Sequence, residues 1–324
     1  MRYLLLCICF VSALFSRDTV FVKLDSGIGN QMFQLAAAYS LAKTINADLK
    51  VVLSKSEKAN LNDPNDRQYR LNNDDFYLDG IKFVPEEELT KSPVSFVWEG
   101  TSFKVWKEID GVKSEEIGYE YLKGKGRFQV ASFFESEIFF KKHAKDIKKM
   151  FSLRKTNSAF IKKYLPEIKK CNSVAVHVRR GDFKNFPDRI LPISYYIQAM
   201  QLFAKQKDVK FFVFSDDPAY VKDCFFNLKN VVIVSSDSDP ATNLEEFYLM
   251  TQCKHFIVAN STFSWWAAYL CSNANATIIA PFPRYKDGYF LTHPEGIQRD
   301  TIKYLHETQS YPKHWKSINP FELP

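Results

Sequence analysis

Short apolar runs alternate along this chain with longer stretches in which apolar positions recur every three or four residues. The first run, residues 20–24, predicts a strand; residues 31–45 predict an amphipathic helix, and residues 48–53 predict a second strand. This order is typical of a βαβ unit with parallel strands. The opening of the chain therefore predicts an α/β sheet.

The second half of the chain repeats the alternation more regularly. Predicted strands and helices follow one another at residues 173–178, 194–206, 210–214, 218–226, 231–234, 243–253, 255–259, 263–271 and 277–280. Five strands with four intervening helices predict a parallel, doubly wound sheet. A lysine-rich helix at 157–170 is predicted to connect this half to the first.

Weaker patterns lie between the two regular regions. They predict a long Asn- and Asp-rich loop at residues 54–80, a strand at 128–133 and an amphipathic helix at 136–151. Residues 82–93 and 96–105 are two short segments with ambiguous patterns. We therefore predict an N-terminal domain at residues 18–156. A C-terminal domain with a tail is predicted at residues 171–324.

The composition is that of a globular protein, with 46% hydrophobic and 25% charged residues. The formal net charge of +7 is modest, and the basic residues form no motif interleaved with aromatic residues, so nucleic acid is not an expected partner. The six cysteines lack the close pairing of zinc sites or redox dithiols. Free thiols are the favoured interpretation, and a disulfide is the alternative.

The N-terminal run at residues 3–15 is apolar apart from Ser12 and follows Arg2. Its length is that of a signal-peptide apolar region and falls short of the ~20 residues that span a bilayer. We predict that residues 1–17 are a signal peptide or a short signal anchor, the latter with membrane association through residues 3–15. A buried strand is the alternative.

Two adjacent arginines follow the first predicted strand of the second half. They belong to the motif His177-Val178-Arg179-Arg180-Gly181-Asp182. Ligands of open α/β sheets sit beyond the carboxyl ends of strands, and guanidinium groups make forked contacts with phosphate oxygens. The motif therefore predicts an anion clamp for a nucleotide diphosphate. The alternative is a structural ion cluster of the arginines with Asp182 or Asp216.

Two further strand ends carry polar residues that belong at the same edge of the sheet. Asp216 and Asp217 follow one strand, and a helix opens after another with Ser261-Thr262-Phe263-Ser264. An aspartate here can accept hydrogen bonds from the N1–H and amino group of guanine, or it can cap the next helix. A helix start rich in hydroxyl and free N–H groups is suited to binding phosphate. The three strand ends together predict one nucleotide site.

A glycine-containing turn follows the first predicted strand. Gly27 and Gly29 match the start of a dinucleotide-binding fingerprint, but Met32 holds the place of its third glycine. A hydride-transferring dehydrogenase is therefore not predicted. The two glycines still allow close approach of the backbone, and Asn30 supplies a donor and an acceptor at the helix start.

Three separated motifs carry a resemblance to a known family. In chain order they are Gly27-Ile28-Gly29-Asn30-Gln31-Met32-Phe33-Gln34, His177-Val178-Arg179-Arg180-Gly181-Asp182 and Ser261-Thr262-Phe263-Ser264-Trp265-Trp266-Ala267-Ala268-Tyr269-Leu270. The sequence resembles the α-1,2-fucosyltransferases of glycosyltransferase family 11, within a wider group that shares a His-x-Arg-Arg-x-Asp motif. The resemblance spans residues 20–283. One departure is Asp25-Ser26, where a Gly-Gly-type approach is expected.

The resemblance implies an α/β fold of the glycosyltransferase-B type, with two Rossmann-like, doubly wound domains facing across a cleft. The first domain would serve mainly the acceptor, and the second would bind GDP-fucose. Arg179 would contact the β-phosphate with support from Arg180, while His177 and Asp217 would contact guanine. The remaining donor-site residues that the resemblance implies are Ser261, Thr262, Phe263 and, facing the sugar or acceptor, Asn30.

The implied reaction is an inverting transfer of L-fucose from GDP-fucose to the 2-hydroxyl of a β-galactose-terminated glycan. The resemblance implies that no metal cofactor takes part, and the sequence agrees, because Asp237-Ser238-Asp239 precedes a proline and predicts a turn. Asp182 is the candidate general base, with bracing of the arginines as its alternative role. A eukaryotic protein with this N-terminus would work in the Golgi, and a bacterial one in the cytoplasm.

Two other functions remain open at this point. One is a protein O-fucosyltransferase-like activity, which requires a folded polypeptide acceptor. The other is a non-catalytic protein of the same fold that binds a nucleotide or a glycan.

Overall fold

A computed structural model describes residues 17–53, 71–97, 122–124, 126–154, 157–234, 243–286 and 309–322. The predicted N-terminal apolar segment, most of the predicted 54–80 loop and the Asp237-Ser238-Asp239 turn lie outside these residues. Within them, no helix has both the length and the apolar character needed to cross a membrane.

The first sheet has five parallel strands in the order β3-β2-β1-β5-β4. Their bounds are β1 Thr19–Lys23, β2 Asp48–Leu53, β3 Lys82–Pro85, β4 Ser95–Val97 and β5 Arg127–Val130. Helix α1, Ile28–Ile45, connects β1 to β2, and the short helix α2, Glu86–Thr90, follows β3. The ambiguous segment 82–93 thus contains edge strand β3 and helix α2. The other edge strand, β4, includes only the first two residues of the segment 96–105, and residues 98–105 lie outside the described residues.

The predicted helix at 136–151 is shorter in the structure. Two 3-10 turns, Glu137–Phe139 and Lys141–His143, precede helix α3, Ala144–Met150. The adjacent side chains of Phe139 and Phe140 are both buried. These two buried side chains lie where the 3-10 turns replace the regular α-helical pitch.

The second sheet has six parallel strands in the order β8-β7-β6-β9-β10-β11. After helix α4, Ala159–Lys170, its strands are β6 Asn172–Val178, β7 Val209–Ser215, β8 Val231–Val234, β9 His255–Ile257, β10 Ile278–Pro281 and β11 Lys316–Ile318. The helices between them are α5 Ile193–Gln201, α6 Pro218–Phe225, α7 Asn243–Thr251 and α8 Thr262–Tyr269. The predicted α/β class with two parallel sheets is confirmed. The sixth strand, β11, comes from the tail and was not predicted.

One hydrophobic core connects the two sheets. It includes strand residues of both sheets and the buried faces of α1 and α8, which pack against each other. The ring of Phe33 in α1 lies 4.6 Å from that of Trp265 and 4.8 Å from that of Trp266 in α8. Both tryptophans are buried. This contact of Phe33 with Trp265 and Trp266, here called the α1–α8 joint, connects the two halves of the chain.

Gly29 allows α1 and α8 to approach this closely. A Cβ atom at Gly29 would lie 2.5 Å from the carbonyl carbon of Thr262 and 2.7 Å from the backbone nitrogen of Phe263. The Oγ1 hydroxyl of Thr262 donates a hydrogen bond to Oδ1 of Asn30 at 2.7 Å beside this contact. The second glycine of the first motif therefore serves helix packing.

We expect Gly29→Ala to destabilise the protein by about 1–3 kcal/mol, because the added methyl group meets backbone that must move. An ordinary helical glycine behaves in the opposite way, since alanine there stabilises by about 1 kcal/mol. Urea unfolding of the variant measures the effect. Thr44→Ala, in the last turn of the same helix, is the control and is expected to leave stability unchanged or slightly raised. A more stable Gly29→Ala variant would contradict the tight contact.

Candidate active site

The candidate site lies at the topological switch point of the second sheet. The chain proceeds outward from β6 on one side through β7 and β8, and on the other side through β9 and β10. Ligands of open α/β sheets bind beyond the carboxyl ends of the strands at such a point. Arg179 directly follows β6, and Ser261 and Thr262 open the helix after β9, so two of the predicted motifs flank it.

Arg179 is held by two carboxylates. Its Nη2 atom pairs with Oδ1 of Asp182, and its Nη1 atom pairs with Oδ2 of Asp216. The Arg179 side chain is 18% exposed, and its guanidinium lies 5.4 Å from the centre of the Phe183 ring. Arg179 is therefore oriented from two sides, and its five N–H groups exceed the two that these contacts require.

Arg180 is fixed by different partners. Its Nε donates to Oδ2 of Asp217 at 3.1 Å, and its guanidinium stacks 3.6 Å from the centre of the Tyr220 ring. Its backbone N–H donates to Oδ1 of Asp216 at 2.7 Å. The ion cluster considered as an alternative for the arginines is thus present, and it holds both guanidinium groups at the strand end.

The turn after the arginines depends on Gly181. A Cβ atom at this position would lie 2.5 Å from Oδ2 of Asp216. The end of β6 is also tied to the end of β7, because the Ser215 hydroxyl donates to the carbonyl of Val178 at 2.8 Å. These contacts fix the two strand ends relative to each other.

Asp217 has the capping role that was one of its two predicted functions. Its Oδ1 accepts from the backbone N–H of Tyr220 at 3.4 Å at the start of α6. Its Oδ2 contacts Arg180 and also Nζ of Lys184, the latter at 2.8 Å. The Lys184 hydrogen bond is the main reason that the pKa of Asp217 is lowered, with a further contribution from Arg180. A contact of Asp217 with guanine remains a prediction.

His177 lies beneath the arginines at the end of β6. It is 5% exposed, and its Nδ1 atom has no hydrogen-bond partner. The imidazole is 5.5 Å from the ring of Phe263 in α8. Burial lowers the pKa of His177 to about 4, although the nearby Asp216 acts in the opposite direction. The ring is neutral at physiological pH and presents an unused polar atom.

The start of α8 brings the third motif to the same place. Ser261 is the N-cap residue, but its side chain makes no capping hydrogen bond. Thr262 is bonded to Asn30, so the predicted donor residues Thr262 and Asn30 are in direct contact across the α1–α8 joint. The structure thus places all nine predicted site residues around β6, β7 and the joint.

Sequence reasoning missed the partly buried carboxyl of Glu246. This residue lies in the first turn of α7, and burial raises its pKa to about 8, with Asp216 adding to the rise. An acidic residue in the first turn of a helix is common on solvated surfaces, so the sequence offered no distinguishing signal. Lys184 and Tyr220, which hold Asp217 and Arg180, were also missed.

A family model described as Glycosyl transferase family 11 matches residues 98–305, well over half of the chain. The chain belongs to glycosyl transferase family 11. It is therefore a glycosyltransferase, and the predicted family is confirmed.

Curated relatives of this family 11 protein come from bacteria and mammals. It is 28% identical to the α-1,2-colitosyltransferase of Escherichia coli over 280 residues, which cover 82% of this chain and 92% of that protein. It is 37% identical to human galactoside α-(1,2)-fucosyltransferase 1 over 103 residues, which cover 30% of this chain and 28% of that protein. Both relatives are named for α-1,2 transfer of a sugar.

A solved structure with a similar fold is the fucosyltransferase NodZ from Bradyrhizobium. The match has a TM-score of 0.48 and 16% sequence identity, and it covers 78% of this chain and 92% of the NodZ chain.

We expect the stability of this glycosyltransferase to fall on acidification in a way that depends on His177. The unfolded imidazole takes up a proton below its ordinary pKa of about 6.5, whereas the folded one does so only near pH 4. The unfolded state therefore binds more protons between these values, and wild type loses about 2 kcal/mol relative to His177→Gln between pH 7.5 and pH 5.

Urea unfolding of both proteins at the two pH values measures this effect. Any packing change in His177→Gln is the same at both pH values and cancels in the comparison. An equal difference between the two proteins at pH 7.5 and pH 5 would show that His177 is not buried in neutral form.

Proposed function

We propose that this family 11 enzyme transfers L-fucose from GDP-fucose to the 2-hydroxyl of a β-galactose-terminated glycan, with inversion and without a metal cofactor. The observation that carries the proposal is the placement of two oriented arginines opposite the start of α8, at the switch point of a six-stranded parallel sheet. Fixed guanidinium groups and helix N-terminal N–H groups complement a diphosphate.

In the proposed reaction the acceptor oxygen forms a bond to C1 of fucose while the bond between C1 and the β-phosphate oxygen breaks. The hydroxyl proton passes to a base, and GDP leaves with the bonding electrons. Negative charge grows on the β-phosphate, where Arg179 is positioned to stabilise it and Arg180 to assist. Preorganised donors of this kind are the main catalytic contribution in many enzymes, because they need no reorganisation during the reaction.

The other predicted residues have supporting roles in this proposal. His177 and Phe263 flank the base, and Ser261 and Thr262 flank the phosphates. Asn30, bonded to Thr262, lies where the α1 side of the molecule meets the donor side. Asp182 contacts Arg179, which supports the bracing role; its action as general base remains a proposal.

The names of the relatives support an α-1,2 linkage in the product. They leave two candidates for the sugar that is transferred. One relative is an α-1,2-colitosyltransferase and another a galactoside α-(1,2)-fucosyltransferase. We infer fucose because all three motifs match the fucosyltransferase pattern. Transfer of colitose is the second candidate, and the colitosyltransferase, which aligns over most of its length, favours it.

We expect the purified protein to convert GDP-fucose and a β-galactoside to an α-1,2-fucosylated product, at the same rate with and without EDTA. Product linkage is determined by NMR, and the donors tested include the colitose counterpart. Within the described residues no cluster of three His, Cys, Asp or Glu side chains is arranged to hold a metal ion. If the protein uses only the colitose donor, the transferred sugar is colitose and the fucose assignment is wrong. If it transfers the sugar only to folded protein, the acceptor is a polypeptide and the proposed glycan acceptor is wrong.

We expect Arg179→Lys to lower kcat about 100-fold or more, because lysine keeps the charge but loses the oriented planar fork. Initial rates at saturating donor measure the effect. Arg17→Lys is the matched control, since Arg17 is an exposed arginine just before β1, paired with Asp48. Full turnover by Arg179→Lys would indicate that Arg179 serves only the ion cluster, and absence of turnover in wild type would favour a non-catalytic protein.

A further inference from the structure

A buried ion pair connects the two halves of the chain. Nη1 of Arg284 donates to Oε2 of Glu135 at 2.8 Å, and the two side chains are 4% and 14% exposed. Glu135 follows β5 of the first sheet, and Arg284 follows β10 of the second. The pair therefore joins segments that leave the carboxyl edges of the two sheets, and it shares no residue with the ion cluster around Arg179.

Arg284 is attached to the start of α8 through Asn260. Asn260 is 2% exposed and directly precedes Ser261, the N-cap residue of α8. Its Nδ2 donates to the carbonyl of Arg284 at 2.9 Å and to the carbonyl of Arg189 at 2.8 Å. Nη2 of Arg284 in turn donates to the carbonyl of Asn260 at 3.5 Å. Arg284 thus contacts the residue from which the proposed phosphate-binding helix begins.

Glu135 is carried by a fixed segment beside the switch point of the first sheet. That point lies between β1 and β5, because the chain leaves β1 for β2 and β3 on one side, while β5 and β4 lie on the other. Glu135 stands between two buried residues, Phe134 and Ser136, and the Ser136 hydroxyl donates to the carbonyl of Gln309 at 2.6 Å. Phe134 has a φ of 58°, which a residue other than glycine keeps only where its surroundings hold it.

Stability is a weak explanation for this pair. Burial removes the hydration of both charges, and apolar side chains of similar volume in place of a buried ion pair are often as stable or more so. The pair instead supplies a contact of defined length and direction between two surfaces. Transfer of a group between two bound reactants needs such geometry, because a misplacement of about 1 Å lowers the rate by as much as about 100-fold.

We propose that Glu135 and Arg284 are positioning residues, which set the distance between segment 134–136 and the start of α8. The role rests on the proposed function, in which the first half of the chain serves the acceptor, as the family resemblance implies, and the second half binds the donor. Neither side chain touches the reacting atoms in this role. The pair acts through Asn260 at one end and through the backbone of residues 134–136 at the other, and it adds a directional contact to the apolar packing of the α1–α8 joint.

The variant that tests this role replaces the pair with apolar side chains of similar volume, Glu135→Leu with Arg284→Met. Because the replacement leaves no unpaired buried charge, the stability to urea is expected to remain close to that of wild type. We expect kcat for transfer from GDP-fucose to a β-galactoside to fall about 10- to 100-fold, because the directional contact is lost. The affinity for GDP, measured by calorimetric titration, is expected to stay the same, since the Arg179 cluster is intact.

Glu167→Leu with Lys210→Met is the matched control. This ion pair connects α4 to β7 without joining the two sheets, and its side chains are 39% and 44% exposed. The control is expected to retain kcat. All turnover is expressed per GDP-binding site, counted from the stoichiometry of the titration, so a loss of folded protein does not appear as a loss of kcat.

Glu135→Asp is a second, milder variant. It keeps the charge but withdraws the carboxylate by one methylene group, so we expect kcat to fall about 3- to 10-fold with GDP affinity unchanged. This variant decides the question if the apolar double variant binds no GDP.

A double variant that binds GDP and transfers fucose at the wild-type rate overturns the positioning role, as does an unchanged kcat with a weaker affinity for GDP. If the double variant binds no GDP, wild-type turnover by Glu135→Asp overturns the role instead. In each of these cases wild type still transfers fucose, so the proposed function stands. If wild type itself transfers no fucose, the proposed function fails, and the positioning role fails with it.

Discussion

The contact between Gly29 in α1 and the backbone of Thr262 in α8 is the constraint on which the geometry of the molecule depends. One helix belongs to the first sheet and the other begins at the switch point of the second. Because backbone meets backbone there, with Phe33 wedged against Trp265, the relative position of the two sheets is set by core packing. A connecting loop alone would leave that position open.

Charge fixes the opposite side of the switch point. Arg179, Arg180 and Lys184 are each paired with a carboxylate of the protein, so contacts within the chain hold their positions. The structural cluster and the anion clamp were alternatives in the sequence; the structure contains the cluster, and in the proposed function that cluster orients the clamp. A guanidinium held by carboxylates loses little conformational freedom on binding, which is what electrostatic preorganisation requires.

The sequence predicted the fold well where burial alone decides local structure. The bounds of β2 and β8 agree with their apolar runs, and parallel alternation implied that the strand ends share an edge. The order of strands and the pairing of β11 depend on long-range contacts that a short apolar pattern does not encode. At the site, the motif located Arg179, but Glu246 was missed because nothing in a helical first turn shows whether an acidic side chain is solvated or buried.

Positive and negative charges balance at this edge of the sheet. The three cations and three aspartates of the cluster cancel, so in the proposed function a diphosphate draws on the remaining N–H groups of the arginines and on the start of α8. An ionised Glu246 would oppose that attraction. Because burial raises the pKa of Glu246 to about 8, the carboxyl adds little negative charge at neutral pH. In the proposed function, attraction of phosphate therefore depends on where the N–H donors lie, because the charges of the cluster already balance.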